Sequence, residues 1–159
     1  RGKGPGSVIN PQLSALPIGE GVIKNSGNQV AILNFGTLLP AAMQVAAANN
    51  FTVADMRYVK PLDTKLIKSL LETHDLLVTL EENSIQGGAG SAVCEYLNSI
   101  FAQTPVLQLG LPDRFVNHGT HDELLEECGL DTRGIDLAIT ARLKQINVNG
   151  VQATTVESI

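Results

Sequence analysis

Two adjacent carboxylates, Glu81 and Glu82, close the apolar run Leu76-Leu77-Val78-Thr79-Leu80, and Gly87-Gly88-Ala89-Gly90 follows shortly after. Carboxylates at the carboxyl end of a strand lie where α/β sheets receive ligands, so this pair could work as general acid and base. The same side chains could instead hold helix amides or an ion-pair partner and leave one solvated charge. The glycines open a helix whose first amides point outward with the positive end of the dipole, so the loop could hold an anion or admit a close backbone. Gly87, Gly88 and Gly90 fit neither GxGxxG nor GxxxxGK[ST], and neither nucleotide-binding fingerprint is present.

The remaining reactive residues are scattered. His74, His118 and His121 share no metal-ligand spacing such as HExxH, and read as surface or capping residues. Cys94 and Cys128 have no CxxC spacing and no activating sequence neighbour, which describes two reduced, buried thiols. There is no GxSxG elbow for a serine nucleophile. Arg57 stands near the end of an apolar segment, where an unpaired guanidinium would be expensive. It should therefore meet a carboxylate, in a structural ion pair or at an anion site.

The elements that would position these residues alternate. Ile18 to Lys24 reads as a short edge strand, and Ser26-Gly27-Asn28 is a tight link into Gln29 to Phe35, which favours antiparallel pairing. Val30-Ala31-Ile32-Leu33 is continuously apolar, as in a strand covered on both faces. Gly36 ends it, and Pro40 suits the first turn of a helix to about Ala48. Phe51 to Tyr58 and Asp75 to Leu80 read as further strands, separated by a helix that Asp63 can cap. After the glycine loop, Val93, Leu97, Ile100 and Phe101 recur at helical spacing, and Val106 to Leu109 is the last strand. Thr120-His121-Asp122-Glu123 is a capping box for a helix stopped by Gly129. A final helix carries Ile135, Ile139, Leu143 and Ile146 on one stripe. Strands alternating with helices imply right-handed crossovers. The expected architecture is a three-layer α/β sandwich: a five-stranded mixed sheet, four strands parallel and one antiparallel at an edge, with helices on both faces.

At 159 residues the chain has the size of one domain, and 43% apolar against 17% charged residues is a globular composition. A net charge of −5 supplies no basic footprint, which argues against nucleic acid or an anionic membrane surface as partner. No run reaches the roughly 18 apolar residues of a membrane span. Residues 1–16 are rich in glycine and proline and read as a linker, 17–146 as the domain, and 147–159 as a polar, disordered tail.

Three stretches carry a resemblance: Arg57-Tyr58-Val59-Lys60-Pro61-Leu62-Asp63, Thr79 to Val93, and Gly110-Leu111-Pro112-Asp113-Arg114-Phe115-Val116-Asn117-His118-Gly119. Together with Asn34-Phe35-Gly36-Thr37 and Glu126-Glu127-Cys128-Gly129-Leu130-Asp131 they resemble the C-terminal third of the 1-deoxy-D-xylulose-5-phosphate synthase family, a branch of the transketolase superfamily. The resemblance extends from Arg1 to about Ile146.

It implies a transketolase C-terminal-like fold in a transferase. Such enzymes are cytoplasmic homodimers that use thiamine diphosphate and magnesium to join a two-carbon fragment of pyruvate to glyceraldehyde 3-phosphate, feeding isoprenoid, thiamine and pyridoxal biosynthesis. Their cofactor is held by an N-terminal domain through Gly-Asp-Gly, which this sequence lacks, and activated by a glutamate of a central domain that is mostly absent here. The chain is thus expected to be a catalytically silent fragment that braces the dimer, with no catalytic, cofactor or metal residue of its own and the two missing domains of the same polypeptide as partners. Arg1-Gly2 corresponds to the end of a Tyr-Pro-Arg-Gly segment, which assigns Arg1 to the phosphate of glyceraldehyde 3-phosphate in the full-length enzyme. Arg57, Glu81, Gly87, Gly88 and Gly90 fall on motifs of domain packing or interface. The alternative is an autonomous α/β domain that takes a phosphorylated ligand on the Gly87 to Gly90 loop.

Overall fold

The computed structural model describes residues 15–156, with side chains as far as Asn147. Strands Val22–Asn25 (β1), Gln29–Phe35 (β2), Thr52–Asp55 (β3), His74–Ser84 (β4) and Val106–Leu111 (β5) form one sheet in the order β1-β3-β2-β4-β5. Four are parallel, and β1 runs antiparallel at the edge. Helices Leu39–Asn49 (α1), Thr64–Leu71 (α2), Ala89–Ser99 (α3), His121–Glu127 (α4) and Thr132–Val156 (α5) complete the chain.

The apolar run in β2 is continuous because both of its faces are covered. Val30 and Ile32 pack with Ala42, Val45, Ile135 and Ile139 of α1 and α5, whereas Ala31 and Leu33 pack with Ile67, Leu70, Val93 and Leu97 of α2 and α3. Side chains of a strand alternate between faces, so one strand serves two cores. The expected five-stranded mixed sheet with helices on both faces is the observed architecture.

Its details differ from the sequence reading: β5 extends past Leu109 to Leu111, α3 stops at Ser99 before Ile100 and Phe101, and other departures are larger. First, β1 starts at Val22 rather than Ile18, and its neighbour is β3 and not β2. The link at Ser26 to Asn28 steps across the start of β3, with Asn28 N–H donating to Asn50 O at 2.9 Å and Gly27 N–H to Thr52 Oγ1 at 3.0 Å. Two strand spacings are about 10 Å, a gap that three extended residues can span. Second, β3 ends at Asp55 and not Tyr58. Met56 N–H still donates to Asn34 O, but Arg57 turns the chain away at φ +59°. Third, β4 runs on to Ser84, so Glu81 and Glu82 lie within the strand. Fourth, the backbone of α5 continues as helix to Val156, beyond the apolar stripe that ends at Ile146. Arg1 and most of the expected linker lie outside the described residues, as do residues 157–159.

Candidate functional site at the carboxyl edge

Residues on β4 point alternately up and down, so Glu81 and Glu82 go to opposite faces and meet different chemistry. Glu81 turns toward α3 and is only 4% exposed. Its Oε2 accepts from Ala89 N–H and its Oε1 from Gly90 N–H, both at 2.8 Å. A carboxylate at a helix N-terminus takes two donors that have no partner inside the helix and faces the positive end of the dipole. The carboxylate therefore occupies the place where an external anion would bind.

The glycines make this possible. Gly88 has extended backbone, and a Cβ there would collide with Ser84 O and the Glu81 carboxylate. A Cβ on Gly90 would come within 2.5 Å of Thr79 Oγ1 and 2.9 Å of Gln108 Nε2. Gly87 sits at φ +74° with open space around it, so its requirement is conformational. Its N–H donates to Ser91 Oγ at 2.9 Å. With three loop amides held internally, a phosphate on this loop would have to displace Glu81.

Glu82 faces the opposite side. It accepts from Thr37 Oγ1 at 2.5 Å, and its other oxygen is 2.8 Å from His121 Nε2. These three residues come from the end of β2, the end of β4 and the start of α4. Partial burial pushes the Glu82 carboxyl up, but the hydrogen bonds from Thr37 and His121, with the charge of His121, outweigh it and leave the pKa below the ordinary value. Asp122 Oδ1 lies 3.8 Å from His121 Nδ1 on the outer side. The capping box is formed, with Glu123 N–H donating to Thr120 Oγ1 and Thr120 N–H to Glu123 Oε2. The Thr120 N–H and the Thr120 hydroxyl, both donating to Glu123 Oε2, hold the Glu123 carboxyl below its ordinary pKa.

The helix α1 connects β2 on one face and α3 connects β4 on the other, so the gap between β2 and β4 is a switch point at the carboxyl edge. Thr37, Glu82 and His121 occupy it. The sequence pairs Glu81 with Glu82 and reads His121 as a surface or capping residue. The neighbour that matters for Glu82 is a histidine 39 positions away, which no local spacing signals.

The other candidates are placed elsewhere. Arg57 lies beside Asp55, with Nε 3.9 Å from Oδ2 and both side chains about one-fifth exposed. His74 is part of the amino edge, its ring held by Thr52 Oγ1 at 2.7 Å and Leu70 O at 3.0 Å. It borders an open cleft of about 440 Å³ that Gln29, Gln103, Pro105, Leu143 and Asn147 also line. His118 is exposed, and Cys94 on α3 and Cys128 just after α4 are free thiols that are partly and not, as expected, fully buried. Burial raises the pKa of Cys94, opposite to what a nucleophile needs. Among the described residues no group of three or more His, Cys, Asp or Glu side chains could hold a metal ion. No described helix is long and apolar enough to cross a membrane.

Comparison with known proteins decides the family, because the model of "Transketolase, C-terminal domain" matches residues 19–135. The chain belongs to the transketolase C-terminal domain family. It is 56% identical over 148 residues to the 1-deoxy-D-xylulose-5-phosphate synthase of Hahella chejuensis, covering 93% of this chain and 23% of that protein. The synthase of Cellvibrio japonicus is 54% identical over 143 residues, covering 90% of the chain and 22% of the protein. This transketolase C-terminal domain therefore spans about a quarter of the length of the curated relatives it matches. Among solved structures, "Split gene transketolase, inactive beta4 tetramer" superposes with a TM-score of 0.75 at 31% identity, over 87% of the domain and 45% of that chain.

Proposed function

We propose that the chain is the C-terminal domain of a 1-deoxy-D-xylulose-5-phosphate synthase, a cytoplasmic homodimer in its full-length form. The observation that carries this reading is the identity above one half with synthases over nine-tenths of the domain, limited to about a quarter of their length. The full polypeptide would condense pyruvate with glyceraldehyde 3-phosphate, releasing CO2. Thiamine diphosphate and magnesium would supply the carbanion chemistry, but the described residues offer them no fitting donor set and the sequence has no Gly-Asp-Gly. The cofactor would be held by other parts of the polypeptide, and no step is assigned to this domain. Its own role is structural, with Arg57, Glu81, Gly87, Gly88 and Gly90 maintaining packing. The occupied α3 N-terminus favours this over phosphate binding on the Gly87 to Gly90 loop.

The test joins the chain to its upstream polypeptide. Deoxyxylulose phosphate should form from the two substrates in the joined protein, and calorimetry of the 159-residue chain alone should show no saturable uptake of thiamine diphosphate with magnesium. In the joined enzyme, Arg1→Ala should lower kcat/KM for glyceraldehyde 3-phosphate about tenfold, the consequence of losing one bidentate contact to phosphate. Use of pyruvate should change little, since it presents no phosphate. Equal losses for both substrates would remove Arg1 from the phosphate site.

A further inference from the structure

The exposed large apolar side chains are not spread evenly. Leu16, Ile18, Val59 and Phe115 all lie on segments at the carboxyl edge, Phe115 being fully exposed, whereas Phe101 lies at the amino edge and Leu137 on α5. Ile18 and Val59 share one shoulder: the neighbouring Gly19 packs on Pro61, where a Cβ would come within 2.6 Å of Pro61 Cγ. Gly21 N–H is tied to Asp63 Oδ2 at 2.8 Å on the same side. Phe115 stands on the opposite shoulder, on the loop between β5 and α4. That loop is fastened at one end by Arg114 Nη1 to Glu127 Oε1 at 2.7 Å and at the other by the His121 to Glu82 pair at 2.8 Å. The helix α4 has no buried residue of its own, so these pairs, with the partly buried Leu125 and Cys128, hold it.

The direction of β1 says what faces this edge. An antiparallel first strand begins at the carboxyl ends of the parallel strands, so the described chain enters the sheet at that edge. The final helix runs the other way, with Leu143 and Asn147 at the amino edge. Similar proteins carry about three-quarters of their length outside the region matched here, and the superposed solved chain carries more than half. Exposed apolar side chains set among polar groups have the composition of protein contact surfaces.

We propose that the carboxyl edge, with Ile18 and Val59 on one shoulder, Phe115 on the other and the Thr37, Glu82 and His121 cluster between them, docks onto the preceding domain of the same polypeptide. This rests on the reading that the chain is one domain of a longer synthase. The upstream domain presents a complementary apolar surface to both shoulders, and the Glu82 to His121 pair sets the height of the Phe115 loop.

The test uses the joined polypeptide, with Val59→Ser and Phe115→Ser compared against Phe101→Ser, an 85% exposed aromatic at the other edge. Because Val59 and Phe115 are exposed in the isolated fold, their replacement does not open this domain's own core. Val59→Ser and Phe115→Ser should each speed protease release of the intact domain about tenfold, as expected for an interface anchor, with Phe101→Ser unchanged. Equal release for all three variants, or faster release only for Phe101→Ser, overturns the proposal. Loss of self-association by sedimentation without faster release also overturns it, since the occupant is then a second copy. If the joined protein makes no deoxyxylulose phosphate while Phe115→Ser still frees the domain, the synthase reading falls and the docking face stands.

Discussion

The two sides of the β4 carboxyl end place the same functional group in opposite circumstances. Glu81 is buried, receives two amide donors from α3 and is surrounded by backbone that only glycines allow so close. Glu82, one residue later, is about one-third exposed and bonded to a hydroxyl and an imidazole carried by exposed segments. A buried charge with fixed donors is costly to disturb, whereas an exposed pair competes with water at every step. Glu81 thus ties α3 to the sheet, while Glu82 fastens a peripheral loop.

The sharpest way to break the comparison is Glu81→Ala. Two helix amides would lose their charged acceptor in a buried site, and we expect a loss of about 3 kcal/mol or more in urea denaturation. A loss near that of an exposed pair would mean that water replaces the carboxylate at no cost. Glu82→Ala should by contrast cost under about 1 kcal/mol.

The glycines sharpen the same contrast. Gly90→Ala inserts a methyl against Thr79 Oγ1 and Gln108 Nε2, and overpacking of this kind costs about 1 to 3 kcal/mol. Gly87→Ala meets open space and bears only the expense of φ +74°, about 1 kcal/mol. Thermal melts of the two variants should rank Gly90→Ala below Gly87→Ala. The reverse order would show that α3 shifts to accept the methyl.

The smallest effect is the acid dependence of Glu82. Its folded pKa lies below the ordinary 4.5, so its ionised form stabilises the fold above the unfolded value and that contribution disappears as pH falls through the folded value. The stability gap between the native chain and Glu82→Gln should close progressively as the pH falls below 4.5. A gap that persists at lower pH would assign the effect to the shape of the side chain and not its charge.

Much of this is legible in the sequence. The apolar run at Val30 to Leu33 announces a two-faced strand, Asp63 does cap α2 by accepting from Leu66 N–H at 2.9 Å, and the Thr120 to Glu123 box forms. Each of these depends on residues within a few positions of one another, where spacing determines geometry. The same holds for the alternation that makes the fold α/β with one antiparallel edge strand.

What the sequence could not decide is which distant neighbours meet. The tight link at Ser26 to Asn28 favours an antiparallel β1, but only the folded sheet sets β3 between β1 and β2. The glutamate pair was visible as a pair, yet its division into one buried anchor and one exposed clasp follows from the pleat of β4 and from α3 and α4 lying on opposite faces of the sheet. The residues determine local turns, caps and periodicity because those are short-range. The tertiary fold alone sets His121 against Glu82 and fills the α3 N-terminus with Glu81, because only packing brings groups far apart in the chain to hydrogen-bond distance.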